Sequence, residues 1–226
     1  MGSTGLLALA AAAFLLTHCV PSTPLRPALV RALGENAYLG VYSLVSLGTL
    51  GWLIWAYVKA PWVPVWQGDE FKPWAVLVMP LALVLVACGL TTRNPSAVRQ
   101  EGALRSLGEA YGILRVTRHP LMWGIALWAL AHLIARGDSA SIVFFGTFLL
   151  LALLGTLLID RRKDRTLGMD WKRFADVTSN FPFGAILRGR NRFRFAEIGW
   201  WRIALGLALY FVFLFLHPFL FGVKPY

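Results

Sequence analysis

Four histidines stand among long uncharged stretches of this 226-residue chain, and two of them, His18 and His132, fall where a bilayer makes an ionisable ring costly. A neutral imidazole in such a place either hydrogen-bonds to a neighbouring helix or binds a metal. Two histidines on different helices could also hold a haem iron from opposite faces. No Cys-x-x-Cys-His run is present, so a haem of that kind would be non-covalent and b-type. His119, in Arg118-His119-Pro120, sits where a helix begins. With Arg118 it reads either as a simple anchor or as a pair aimed at an anion. His217 precedes Pro218 near the end of the last apolar stretch and reads as an interfacial ring.

The elements that position these rings are membrane helices. The chain is 58% hydrophobic and 15% charged, with ten tryptophans, too apolar for an ordinary soluble domain. Six stretches lack Asp, Glu, Lys and Arg: Gly2–Thr17, Ala37–Val58, Trp74–Thr92, Pro120–Ala135, Ser141–Ile159 and Ile203–Val223. Most approach the ~20 residues that cross a hydrocarbon core of about 30 Å, and lipid leaves each no backbone choice but helix. The expected fold is all-α, one polytopic domain over residues 1–226, a bundle of about six transmembrane helices with amphipathic cytoplasmic segments. The first stretch has no positive charge before it and no clear small-x-small site after it, so it reads as a span rather than a signal peptide.

The net charge of +11 is unevenly placed. Loops 18–36, 93–119 and 160–202 carry eighteen Lys/Arg, and the opposite side carries Lys59, Lys72, Arg136 and Lys224. That asymmetry sets both termini on the periplasmic side of a bacterial inner membrane. The basic loops suit contact with anionic lipid rather than nucleic acid, including the segment where Arg188, Arg190, Arg192 and Arg194 alternate with Gly189, Asn191 and Phe193. In the middle loop, Leu104, Leu107, Tyr111 and Leu114 recur at helical spacing between Arg99, Glu101, Arg105 and Glu109, predicting an amphipathic helix on the membrane surface. Arg118 and Asp160-Arg161-Arg162 are expected to form a polar cluster beside the start of the fourth span. Cys19 and Cys88 form no paired motif.

Several ordered segments carry a resemblance. They are His18-Cys19-Val20-Pro21 with Arg26, Gly34-Glu35-Asn36-Ala37-Tyr38, Arg115 to Gly124 through Arg118-His119-Pro120, Trp128 to His132, Asp160-Arg161-Arg162, and Asn180 to Gly184. Together they resemble the NnrU family of bacterial membrane proteins and its plant and cyanobacterial relative, 15-cis-zeta-carotene isomerase. The resemblance implies haem b, with His18 and His132 as iron ligands, and a link either to denitrification and nitric oxide or to cis-trans isomerisation of a polyene. Ala129 stands where the isomerase has a cysteine, so a thiolate ligand does not carry over. A hydrophobic small molecule or nitric oxide is the expected partner.

Depth along the helices complicates that pair. In a six-span chain the first and fourth helices run antiparallel, which puts His18 near one face and His132 about 20 Å beyond His119. His119 is therefore the rival second ligand. Two other function classes remain open: a membrane methyltransferase using S-adenosylmethionine, which resembles Arg118-His119-Pro120 and Asn180 to Phe183, and a non-enzymatic assembly factor that holds haem or lipid.

Overall fold

The structure, a computed structural model, describes residues 2–106 and 110–226, and no strand occurs among them. Six long helices follow the six apolar stretches: α1 (Thr4–Cys19), α3 (Glu35–Lys59), α4 (Lys72–Thr91), α6 (Pro120–Arg136), α7 (Ser139–Leu167) and α11 (Trp200–Phe221). Between them lie α2 (Leu25–Leu33), α8 (Met169–Val177) and three single turns, α5 (Ala103–Ser106), α9 (Gly184–Leu187) and α10 (Phe195–Ile198). Five of the six long helices are long and apolar enough to cross a membrane, and α6, with 17 residues, is shorter. At 1.5 Å per residue it spans about 26 Å, less than a hydrocarbon core. It lies inside the row of helices, with α4 and α7 packed on its two sides.

The packing order is a row: α3, α1, α7, α6, α4, α11. Small residues set the closest crossings. A Cβ on Gly124 of α6 would lie 2.8 Å from the carbonyl oxygen of Ala82 in α4, and one on Gly206 of α11 would lie 2.5 Å from Val84 Cα. Between membrane helices lipid supplies no hydrophobic drive, so close backbone approach and dispersion hold the contact. At the other side of the row, Leu7, Ala10 and Phe14 of α1 pack with Leu53 and Ala56 of α3 and with Ala140, Phe144 and Phe145 of α7.

The three basic loops gather at one end. Arg99 hydrogen-bonds Asn36, Lys163 Nζ donates to Glu101 at 2.7 Å, and Arg115 Nε donates to Glu197 at 2.7 Å. The opposite loops meet at the other end, where Val65 N donates to Gly137 O and Ser139 N to Val63 O. The charge asymmetry of the sequence is therefore an asymmetry of the folded bundle.

Two expectations about the basic end need correction. The surface helix expected over the middle loop is absent from the described residues: α5 is one turn, Gly112–Arg115 is a 3-10 turn, and Leu107 and Glu109 lie outside the described residues. Gly112 breaks the helix, with φ of 58° and no room for a side chain, since a Cβ there would lie 2.8 Å from Glu197 O. Leu114 consequently turns inward and is fully buried with Leu85, Trp171 and Ile198. The amphipathic segments are instead α2 and α8, and α8 buries Trp171 and Phe174. Finally, α7 continues past Ile159 to Leu167, so Asp160 to Arg165 are helical rather than loop.

Candidate functional site

Three places hold the histidines, and the structure keeps them apart. At the start of α6, His119 Nε2 lies 2.7 Å from Asp160 Oδ1, and Arg118 grips the same carboxylate through Nε (2.9 Å) and Nη2 (2.5 Å). Asn180 Nδ2 adds a fourth donor at 3.3 Å. Burial, the largest influence, holds the His119 imidazole below its ordinary range, and the bond to Asp160 opposes this only in part. The ring is thus neutral near pH 7 and donates its Nε2 proton to the carboxylate. Around this clamp the 116–119 and 178–183 segments are laced together: Thr117 Oγ1 and Trp123 Nε1 both donate to Asn180 O, at 2.6 and 2.8 Å, and Arg118 N donates to Ser179 O. The polar cluster foreseen around Arg118 and Asp160 is present. Arg161 is exposed and Arg162 faces another cavity, so neither joins it. Arg118 and His119 are committed to an internal carboxylate, the arrangement of a joint between α6, α7 and the following loop.

The second place is a cavity of about 440 Å³ among α1, α3 and α7 at the basic end. Its walls are mainly apolar, with Leu15, Leu39, Met122, Leu151 and Leu158. That volume falls in the range of small-molecule sites. His18 lines it. Its Nδ1 donates to Phe14 O at 2.8 Å, which fixes the ring and leaves Nε2 without a hydrogen-bond partner among the described residues. Tyr38 also lines the cavity, and its buried hydroxyl has no partner. Arg26, paired with Glu35 at 2.8 Å, and Arg162 complete a charged rim.

The third place is at the far end, where the last turns of α6 and α11 both face α4 and bring His132 and His217 together. His132 Nδ1 donates to Trp128 O at 2.8 Å, and its ring stacks on Phe145 with centroids 5.0 Å apart. His217, from α11, lies with its ring centroid 6.3 Å from that of His132 and its plane within 21°. His217 Nδ1 in turn donates to Val223 O at 2.7 Å. Both rings line a small cavity of about 90 Å³ together with Lys72, Arg136 and Lys224.

His18 and His132 therefore do not converge on one metal position. Ring against ring, Phe14, Phe148 and Trp128 stand between them, with successive centroids 4.2, 5.4, 5.3 and 5.4 Å apart from His18 to His132. His119 is no substitute, because its Nε2 is taken by Asp160. His217, which sequence reasoning left as an interfacial ring, is the histidine brought to His132. Helix direction carries the signal: the fourth and sixth spans run the same way, so histidines late in each share a depth, whereas the first and fourth spans run oppositely. Among the described residues no group of three or more His, Cys, Asp or Glu could hold a metal ion.

Known proteins give the arrangement a setting. The profile of the family described as NnrU protein matches residues 6–225. The chain belongs to the NnrU family. The family member is also similar to two curated relatives, the chloroplastic 15-cis-zeta-carotene isomerases of Arabidopsis thaliana and Zea mays. It is 36% identical to the first over 80 residues, which is 35% of this chain and 22% of the relative, and 36% identical to the second over 81 residues, or 36% and 22%. The matched stretch thus spans under a quarter of the length of either isomerase. No solved structure matches the chain.

Proposed function

We propose that this NnrU-family membrane protein binds an elongated apolar molecule in the cavity beside His18 and acts as a carotenoid-isomerase-like protein on a polyene, with haem b as its cofactor. The observation that carries the reading is the cavity itself: about 440 Å³, walled by leucines, with two free polar atoms, His18 Nε2 and Tyr38 Oη, set in an otherwise apolar lining. A polyene needs apolar walls to be extracted from lipid, and a few fixed polar groups to set its position. Partial similarity to two isomerases supports the substrate class. Bound haem b would supply a redox-active iron, and His132, with Nδ1 fixed on Trp128 O and Nε2 unblocked, is the residue of this chain best prepared to hold it. In the ligand cavity, His18 and Tyr38 orient the apolar chain between the leucine walls. The methyltransferase reading rests on Arg118-His119, and both side chains are bound to Asp160.

Gly155 offers a direct test. A Cβ there would meet only Met122 Sδ at 3.7 Å, so alanine fits and a large ring projects into the cavity. Protein in nanodiscs is incubated with a 15-cis polyene, and the bound pigment and its cis-to-trans ratio are read by chromatography. Wild-type protein and Gly155→Ala should bind and convert it, whereas Gly155→Phe should bind about tenfold less, near the 1.4 kcal/mol that a tenfold change represents. Equal binding by Gly155→Phe would remove the cavity from the function.

The orientation proposed for the bundle places both termini in the periplasm, from the eighteen-to-four distribution of Lys/Arg. Single cysteines at Arg190 and Lys224, introduced after Cys19 and Cys88 are changed to serine, should react oppositely with an impermeant maleimide in whole cells. Only the Lys224→Cys protein should label before lysis, and the reverse pattern would invert the assignment.

A further inference from the structure

We infer that the cavity beside His18 takes a single-chain anionic amphiphile, with its acidic head, a carboxylate or phosphate, on Arg162 and its apolar chain laid along α7. This rests on the reading of that cavity as an apolar-ligand site and narrows the class of molecule that enters it.

The wall of the cavity is graded from carbon to charge along all three helices. On α7 the lining residues Leu151, Leu154, Leu158 and Arg162 recur three or four positions apart, on one face of the helix. From Leu151 to Arg162 that face rises about 16 Å. Helix α1 runs toward the basic end and places Leu15 deeper than His18, whereas α3 starts there and places Glu35 at the mouth and Leu39 within. A pure hydrocarbon would match only the deeper part of such a wall.

The charges at the mouth do not balance. Arg26, Arg99, Arg162 and Lys163 line it with two acids, and both acids are taken: Glu35 accepts from Arg26 at 2.8 Å and Glu101 from Lys163 at 2.7 Å. Arg99 hydrogen-bonds the neutral amide of Asn36. Arg162 is half-buried, reaches only Pro21 O at 3.5 Å, and has no acidic partner among the described residues. A guanidinium drawn out of water is costly without a counter-charge, and its planar fork suits two oxygens of a carboxylate or phosphate. Arg26 and Tyr38 lie within electrostatic reach of Arg162. Tyr38 Oη, buried and without a partner among the described residues, can donate to the same head. His18 is no second donor, because its Nδ1 proton goes to Phe14 O and its Nε2 is an acceptor. A volume of about 440 Å³, toward the lower end of small-molecule sites, holds one chain rather than the two of a bilayer phospholipid.

The probe is cis-parinaric acid, a conjugated fatty acid whose fluorescence rises in apolar surroundings, beside its uncharged methyl ester. The full chain is held in nanodiscs of zwitterionic lipid at a pH that ionises the acid, and empty nanodiscs give the background. Wild-type protein should bind the acid more tightly than the ester. Arg162→Gln should bind the acid about tenfold less and the ester as wild type does, because only a charged contact is lost. Unchanged ester binding also shows that the variant is folded. Arg162→Lys should keep most of the affinity for the acid, Gly155→Phe should lose both probes, and phosphatidylglycerol added to the nanodiscs should displace neither. Acid binding unchanged in Arg162→Gln, or displacement by phosphatidylglycerol, overturns this inference, while loss of both probes in Gly155→Phe leaves the cavity reading standing. Both probes bound as in wild type by Gly155→Phe overturns the cavity reading and this inference with it.

Discussion

Replacing Asp160 with alanine should destabilise the protein by about 3–5 kcal/mol, because it strands two buried groups whose side chains have no other acceptor among the described residues. Arg118 and His119 both end on this carboxylate, their side chains 13% and 1% exposed. Without it the guanidinium is an uncompensated charge where α6 meets α7, and the lacing of Thr117, Trp123 and Asn180 loses its anchor. Asp160→Asn should fall between, since an amide oxygen still accepts from His119 but offers Arg118 no charge. The measurement is a melting curve of purified protein by size-exclusion retention. A melting temperature unchanged in Asp160→Ala would show that the clamp is not structural.

The same clamp has a pH signature. Burial lowers the folded pKa of His119 below the unfolded value of ~6.5, so the unfolded chain binds the proton first as the solution is acidified. The stabilising contribution is complete above that value and is lost as pH falls through the window between the unfolded and folded values. Wild-type protein should therefore lose melting temperature on going below about pH 6.5, while His119→Gln, which can still donate to Asp160, should be flatter across the same interval.

Gly124→Val should separate α6 from α4 and cost about 3 kcal/mol or prevent assembly of the bundle, because its Cβ would enter the space held by Ala82 O and the Val86 backbone nitrogen, at 2.8 and 2.9 Å. Backbone atoms of a helix cannot yield as a side-chain tip can. Gly155→Ala, with only a methionine sulfur at 3.7 Å, should by contrast be close to neutral. Yield of monodisperse protein after membrane extraction separates the two. Equal yields would mean that α4 and α6 tolerate a wider crossing than the structure shows.

A helical membrane protein was legible in the residues alone, because lipid admits no alternative for six apolar stretches, and each begins and ends within a few residues of its predicted bounds except where α7 runs on through Asp160 to Leu167. Charge counting identified the loops that gather at one end, and the motif around Arg118-His119-Pro120 located a real polar cluster with Asp160. Helical spacing misread the middle loop, since periodicity cannot see that Gly112 takes a positive φ and turns Leu114 inward. Which rings meet depended on how the helices pack. His18, His119, His132 and His217 are alike in composition and each sits near an apolar stretch. The row order of the helices and their direction put Asp160 on His119, an apolar cavity on His18, and His217 beside His132. Side-chain partnership across helices depends on packing order and depth, and neither is written in the local spacing of residues.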